Sequence, residues 1–344
     1  MRILLVSPKV TGIGGISRHV SALVERLRRK GLEVEVVSAE NTPHIPVKGL
    51  YNPSFALTSA VKTLLLRVKR DGFDIVHGHN LPVWFSVKSA PARVEVLTLH
   101  GIYSESIRIL YGGLAGDIAT KLESWMLKRV DAVTCVSPRV CEYYQKIGVK
   151  TYYIPNGLDL EKLPREGVRL YERQVVYAGR LSYEKGFDIL LEAVRLVDPS
   201  IHIVVLGSGL KELEERARRL SKELPNFHYL GFKEHFETLK IIAGSDALVL
   251  PSRAEGLPTV ILEAMALKVP VIASRIPEIT SAFGEPLAVL VEPENPVKLA
   301  EAVNNTLMNP PRHMIDRARE KVEREFNWDV ITEKYVQLYA EILR

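Results

Sequence analysis

Apolar residues recur along this chain in two alternating rhythms. Short continuous runs such as Ile3-Leu4-Leu5-Val6 alternate with longer segments in which apolar positions return every three or four residues, as at Ile16, Val20, Leu23, Val24 and Leu27. The first rhythm predicts strands buried on both faces, the second amphipathic helices packed on them. In the first half the predicted strands are "RILLVS", "EVEVVSA", "FDIVHGH", "VEVLTLHG" and "DAVTCVS". Helical stretches separate them, and the first helix stops near Gly31. The pattern restarts after "YIPNGLD", a strand end and turn, and after the polar, aperiodic "LEKLPREGVRLYER". Then come "QVVYAGRL", a helix over 187–197, "IHIVVLGSG", a helix over 210–223, "FHYLGF", "ALVLPS", a helix over 259–267 and "VPVIAS". The expected fold class is α/β, with two Rossmann-like doubly wound units, residues 1–160 and 173–326, facing across a cleft.

Ligands of open parallel sheets bind beyond the carboxyl ends of the strands, so residues just after strands carry the information. His77 and His79 close one strand, and His100, Arg180, Gly207 with Gly209, and Glu255 follow others. The first strand runs into Gly12-Ile13-Gly14-Gly15, nearly the G-x-G-x-x-G of a dinucleotide loop, but Ser17 stands where the last glycine belongs. A dinucleotide site also needs an acidic residue at the end of the second strand. That strand ends Val36-Val37-Ser38, and Glu40 comes late. A two-domain NAD-dependent oxidoreductase is therefore one alternative, and a non-catalytic nucleotide-sugar or glycan-binding protein another.

The second half carries the densest chemistry, in "LVLPSRAEGLPTVILEAMALKVPVIAS". Glu255 ends a loop, Gly256, Leu257 and Pro258 follow, and a helix starts at Thr259 with Glu263 inside it. A helix start offers unpaired N–H groups and the positive end of a dipole, which suits a phosphate. Glycine permits close backbone approach, and a carboxylate on the next turn can accept both hydroxyls of a ribose. In "YAGRLSYEKGFDILLEAV", Arg180 and Lys185 flank a strand-to-helix loop, where two cations could neutralise a diphosphate without a metal. Each feature has a plain structural reading, Glu263 as half of an ion pair and the two cations as surface charges. Their occurrence together after strands of one half favours a site. His77 and His79 share a strand face, yet no third metal ligand presents itself in the sequence.

Composition bounds these readings. The chain has 344 residues, 47% hydrophobic and 25% charged, enough for two cores and ordinary for a globular protein. No apolar run reaches the roughly 18 residues of a membrane span, and no signal-peptide pattern precedes the first strand, so the expected location is cytoplasmic. Cys135 and Cys141 make a poor zinc site and are expected to be unpaired. Scarce Gln and plentiful Lys, Arg and Glu lean toward a thermophile. The net charge of +5 is uneven, with residues 1–157 holding 21 Lys and Arg against 12 Asp and Glu. A basic first half could attract an acidic acceptor or an anionic membrane. Nucleic acid is not expected, because no basic run is interleaved with aromatics. In "SAVKTLLLRVKR", Val61, Leu64, Leu65 and Val68 fall near one face. That pattern fits a membrane-surface helix and a buried helix equally. "IYSESIRILYGGLAGDIATKLESWMLKRV" is a second such stretch.

Taken in order and spacing, "GIGGISRHV", "DIVHGHN", "TLHG", "VSPRV", "IPNGLD", "GRLSYEKGFDILLEA", "LGSG", "LGF" and "EGLPTVILEA" resemble the GT-B glycosyltransferases of family 4, over almost the whole chain. The closing "FNWDVITEKYVQLYAEILR", residues 327–344 in the main, resembles that family's last helix, which crosses back to the first domain. The resemblance implies retaining transfer of a hexose from a nucleoside diphosphate sugar to an acceptor hydroxyl; no metal or other cofactor is expected, because the chain lacks the Asp-x-Asp pattern that metal-dependent transferases use. It implies that Arg180 and Lys185 hold the diphosphate and that Glu263 binds the ribose. Glu255, with the backbone of Gly256 and Leu257 ahead of Pro258 and Thr259, would position the sugar. His100, Gly14 and Gly15 would meet the donor from the first domain, and Gly231 and Phe232 would border the base. The family's usual glycine pair before "IPEI" is Ser274-Arg275 here, at a loop that in relatives lies near sugar or acceptor, so sugar specificity is not carried over.

Overall fold

The computed structural model describes residues 1–11, 15–47, 50–69, 72–284 and 287–344, with the side chains of Lys69, Ser106, Ile109, Leu110 and Tyr111 outside that description. The chain forms two compact units, Met1–Gly157 with Trp328–Arg344, and Leu158–Asn327.

In chain order the N-terminal unit contains β1 (Arg2–Val6), α1 (Gly15–Arg29), β2 (Glu33–Val37), α2 (Tyr51–Lys69), β3 (Phe73–His79), α3 (Trp84–Ser89), β4 (Ala92–Leu99), α4 (Tyr103–Tyr111), α5 (Gly113–Leu127), β5 (Ala132–Cys135), α6 (Pro138–Lys146) and β6 (Thr151–Tyr153). All six strands are parallel, in the order β2-β1-β3-β4-β5-β6. Continuous apolar runs are required because both faces are covered. On one face Val20, Leu23, Val24 and Leu27 of α1 pack with Trp328, Ile331, Tyr335 and Leu338. On the other, Phe55, Trp84, Val87, Met126, Val140 and Tyr144 bring in α2, α3, α5 and α6, with Cys135 and Cys141 buried as free thiols.

The C-terminal unit contains β7 (Gln174–Ala178), α7 (Phe187–Ala193), β8 (His202–Leu206), α8 (Lys211–Glu223), β9 (Phe227–Gly231), α9 (His235–Ala243), β10 (Ala247–Leu250), α10 (Thr259–Ala266), β11 (Val271–Ser274), α11 (Pro277–Ala282), β12 (Val289–Val291), α12 (Pro296–Met308) and α13 (Arg312–Lys321). Its parallel order is β12-β11-β10-β7-β8-β9. The helix expected over 187–197 ends at Ala193 and tightens into a 3-10 turn, Val194–Leu196, ahead of Asp198-Pro199, since proline disfavours helix in the residue before it. The last helix, α14 (Trp328–Ile342), belongs to the N-terminal unit, where the ring of Trp328 takes the space a side chain at Gly157 would fill.

Each sheet reverses its strand order once, between β1 and β3 in the first and between β7 and β10 in the second. The loops leaving those strands diverge to opposite faces and open a crevice at the carboxyl ends.

Candidate functional site

In the C-terminal unit the loop after β7 carries Arg180 and Lys185, and the loop after β10 carries Glu255, Gly256, Leu257 and Pro258. Both therefore open at that sheet's switch point. The two loops are tied together. The Arg253 amide donates to Glu184 O at 2.8 Å, and its guanidinium donates to both carboxylate oxygens of Asp188 at 2.8 Å and to Tyr183 O at 2.5 Å. Burial pushes the Asp188 carboxyl upward, but the bidentate Arg253 outweighs it and holds the group below its ordinary value. Gly186 adopts φ +61°, and a Cβ there would lie 1.8 Å from Pro251 O. Only glycine lets the loops approach this closely.

The tied loops bring Lys185 and Glu255 into contact. Lys185 Nζ donates to Glu255 Oε2 at 2.6 Å, and Ser252 Oγ donates to Oε1 at 2.6 Å. The Glu255 side chain is 4% exposed and that of Lys185 19%. Arg180 differs, because its side chain is 64% exposed and lies 3.2 Å from Glu184. Its backbone is fixed where Tyr177 Oη donates to Arg180 O at 2.6 Å. Burial and, after it, the nearby Glu255 carboxylate raise the Tyr177 phenol, which remains a donor.

α10 starts at Thr259 with no side-chain cap and no acidic residue in its first turn, so its leading amides have no local anionic partner. Glu263 is buried one turn in, and its Oε1 accepts from His235 Nε2 at 2.9 Å. His235 opens α9, and sequence reasoning missed it; the only signal is its position a few residues past the "LGF" strand. Gly231, at φ +72°, has open space where a side chain would stand, and Phe232 beyond it is exposed. Leu257 and Pro258 are buried, so their side chains serve the loop's packing. The combined arrangement is a buried carboxylate–ammonium pair, an uncapped helix start and a second buried carboxylate one turn further on. It can receive an anionic, hydroxyl-rich ligand.

In the N-terminal unit Gly15 opens α1, while Gly14 lies outside the described residues. α1 has Arg26, Arg28 and Arg29 in its last turn, the charge its dipole favours there, and no acidic residue in its first. His19 on α1 joins His77 and His79 of β3 and His100 after β4. His79 Nδ1 lies 3.2 Å from His100 Nε2, and ring centres of His77 and His79 are stacked 4.6 Å apart. Ring nitrogens of His19, His79 and His100 fall within 4.8 Å of one another, spacing that can hold a metal ion. The sequence offered only two ligands, because His19 sits 60 residues before His79 on a different element. His77 is fully buried, with Nδ1 2.6 Å from Tyr339 Oη and Nε2 2.6 Å from Thr98 Oγ1. Burial lowers His100 to about 4 and, with help from His100, His77 to about 3. Burial first, then His77 and His100 beside His79, and His100 and His77 beside His19, put these two well below the ordinary imidazole value. The cluster is neutral at physiological pH.

Glu40, the residue a dinucleotide reading would need for a ribose, is already engaged. Its Oε1 accepts from the amides of Val10 and Thr11 at 3.0 and 2.8 Å and from Thr11 Oγ1 at 2.9 Å. Burial raises it, and these bonds together with one from Ser38 more than reverse that, to about 2.

Two family models match adjoining stretches: "Glycosyltransferase Family 4" over residues 13–162 and "Glycosyl transferases group 1" over residues 161–321. A glycogen synthase of Mycobacterium tuberculosis is 27% identical, over 100% of this chain and 95% of the relative. The fold is shared with sucrose-phosphate synthase from Thermosynechococcus elongatus, at TM-score 0.79 and 22% identity over 99% of this chain and 98% of that one. It is also shared with Anabaena HepE in complex with UDP and glucose, at TM-score 0.73 and 18% identity over 99% and 100%.

Proposed function

Since the chain belongs to the group 1, family 4 glycosyltransferases and is a transferase enzyme of GT-B fold, we propose that it moves a hexose from a nucleoside diphosphate sugar, UDP- or GDP-linked, to an acceptor hydroxyl, with retention at the anomeric carbon. The observation that carries this reading is the Lys185–Glu255 pair at 2.6 Å beside the uncapped start of α10. A similar structure binds UDP and glucose, which favours a nucleotide-sugar donor.

In the proposed reaction the bond from the anomeric carbon to the donor phosphate oxygen breaks and a bond to the acceptor oxygen forms. The acceptor proton leaves with the diphosphate. Charge develops on that diphosphate, and Lys185, Arg180 and the first amides of α10 stabilise it. Such a set needs no metal, so activity is expected to survive chelation. Both oxygens of Glu255 are already engaged, by Lys185 and Ser252. That favours a positioning and electrostatic role over attack on the sugar, and it accords with the same-face substitution assisted by the leaving phosphate that the family resemblance implies. Glu263, steadied by His235, accepts the ribose hydroxyls.

The test is a thermal-shift panel of UDP-, GDP-, ADP- and dTDP-hexoses with NAD and NADP as controls, followed by detection of nucleoside diphosphate release with and without EDTA. Stabilisation by one sugar nucleotide and its slow hydrolysis support the proposal. Stabilisation by NAD or NADP alone overturns it, and loss of turnover in EDTA overturns its metal-free part.

A further inference from the structure

Three helices of the N-terminal unit lie side by side over one face of its sheet. Ser59 Oγ of α2 is 2.7 Å from Ser86 Oγ of α3, and Thr63 Oγ1 is 2.6 Å from Ser89 Oγ. The ring of Trp84 on α3 lies 5.7 Å from that of Trp125 on α5 and 5.1 Å from that of Phe85.

α2 is built inside out. Its fully buried positions are Phe55, Ser59 and Thr63, so two hydroxyls face the core. The opposite face carries Leu57, Val61, Leu64 and Val68, all exposed, Val68 by 84%. An ordinary surface helix reverses that distribution. α5 repeats the design with Leu114, Ile118, Leu122 and Trp125 exposed at helical spacing, Leu114 by 78%, and Phe85 of α3 is exposed beside them. Single exposed apolar residues need no explanation, but a run of them across three adjoining helices marks an interaction surface.

The charges around this surface select its partner. α2 and α3 contain no Asp or Glu. Lys62 and Arg67 donate to the carbonyls of Asn41 and Ser89 rather than to carboxylates, with Arg67 near enough to Glu95 to feel its charge. Lys121 lies on the exposed side of α5, and Lys128 and Arg129 follow its end. Of the two acids in α5, Glu123 is buried and Asp117 is bound by Arg108 at 2.7 Å. The Arg129 guanidinium lies 4.0 Å over the Trp125 ring, an amphipathic pair suited to the boundary between hydrocarbon and headgroups. No helix among the described residues is long and apolar enough to cross a membrane.

We propose that the outer face of α2, α3 and α5 docks this protein on an anionic lipid membrane. Leu57, Val61, Leu64, Val68, Leu122 and Trp125 enter the acyl boundary, and the basic residues around them meet lipid phosphates. The proposal uses none of the donor-site residues and goes beyond the transferase reading.

The test is co-sedimentation of the full chain at low salt with vesicles of phosphatidylcholine plus phosphatidylglycerol and with vesicles of phosphatidylcholine alone. The chain is expected to pellet with the anionic vesicles and to be released by salt. Val61→Glu/Leu64→Glu and Leu122→Glu/Trp125→Glu are each expected to weaken binding by roughly tenfold or more. Their melting curves should be unchanged, because these side chains are exposed. Failure of the parent chain to pellet overturns the proposal, as does binding that both variants retain. Equal pelleting with phosphatidylcholine alone overturns the anionic assignment. A dimer that Val61→Glu/Leu64→Glu dissociates, without vesicle binding, would assign the face to a second copy of the chain. Nucleotide-sugar hydrolysis measured without vesicles keeps failure of this proposal distinct from failure of the transferase reading.

Discussion

Replacing Lys185 by alanine perturbs two things that can be measured separately. The first is the transition state. Removing one preorganised donor to a developing oxyanion costs about 3 kcal/mol, which is two decades or more in kcat/KM. The second is the folded state. Lys185 Nζ is bonded to Glu255 Oε2 at 2.6 Å, and the Glu255 side chain is only 4% exposed. The variant leaves that carboxylate buried with Ser252 still on its other oxygen. An acceptor stranded in this way costs about 2 kcal/mol, and the melting temperature should fall by about 4–8 °C. Adding Glu255→Gln removes the stranded charge, so Lys185→Ala/Glu255→Gln should recover most of the lost melting temperature and none of the lost activity. The assays are urea or thermal unfolding and initial rates of diphosphate release. A Lys185→Ala enzyme within a few-fold of the parent in kcat/KM refutes the diphosphate role. A double variant that regains activity refutes the separation of the two effects.

Three further outcomes follow from the same geometry. Gly186→Ala forces a side chain into left-handed backbone 1.8 Å from Pro251 O, so it should lower stability by about 2 kcal/mol or more and weaken nucleotide binding; an unchanged melting curve would contradict the tied-loop description. Glu263→Gln should weaken binding of UDP or GDP by about tenfold, or about 1.4 kcal/mol, with little change in kcat, and calorimetry showing undiminished affinity would remove Glu263 from the ribose. His19, His77, His79 and His100 are all lowered in the folded chain, His100 to about 4 and His77 to about 3. Their neutral forms are therefore favoured by folding, and the stabilisation is complete above the unfolded value near 6.5. Below it the unfolded chain takes up protons that the folded one refuses, at up to about 1.4 kcal/mol per pH unit for each histidine. The urea midpoint should accordingly drop between pH 7.5 and pH 5.5, and a flat or rising midpoint would show that the cluster is already protonated or open to water.

The strand and helix rhythm, the restart near residue 157 and the glutamate pair of "EGLPTVILEA" were legible in the chain because each is local. Period and spacing are properties of neighbouring residues, and they placed Glu255, Glu263, Arg180 and Lys185 after strands of one half. Strand order decided what these residues mean to one another. Only the adjacency of β7 and β10 brings Lys185 to Glu255 across a sequence separation of 70. Only α9 delivers His235 to Glu263, and only α1 carries His19 to the histidines of the neighbouring strands. The amphipathic stretch around Val61 and Leu64 shows the limit most plainly. A sequence pattern defines two faces of a helix but not which of them meets the sheet. The fold turned Ser59 and Thr63 inward, where hydroxyls of α3 satisfy them, and left the leucines and valines facing out.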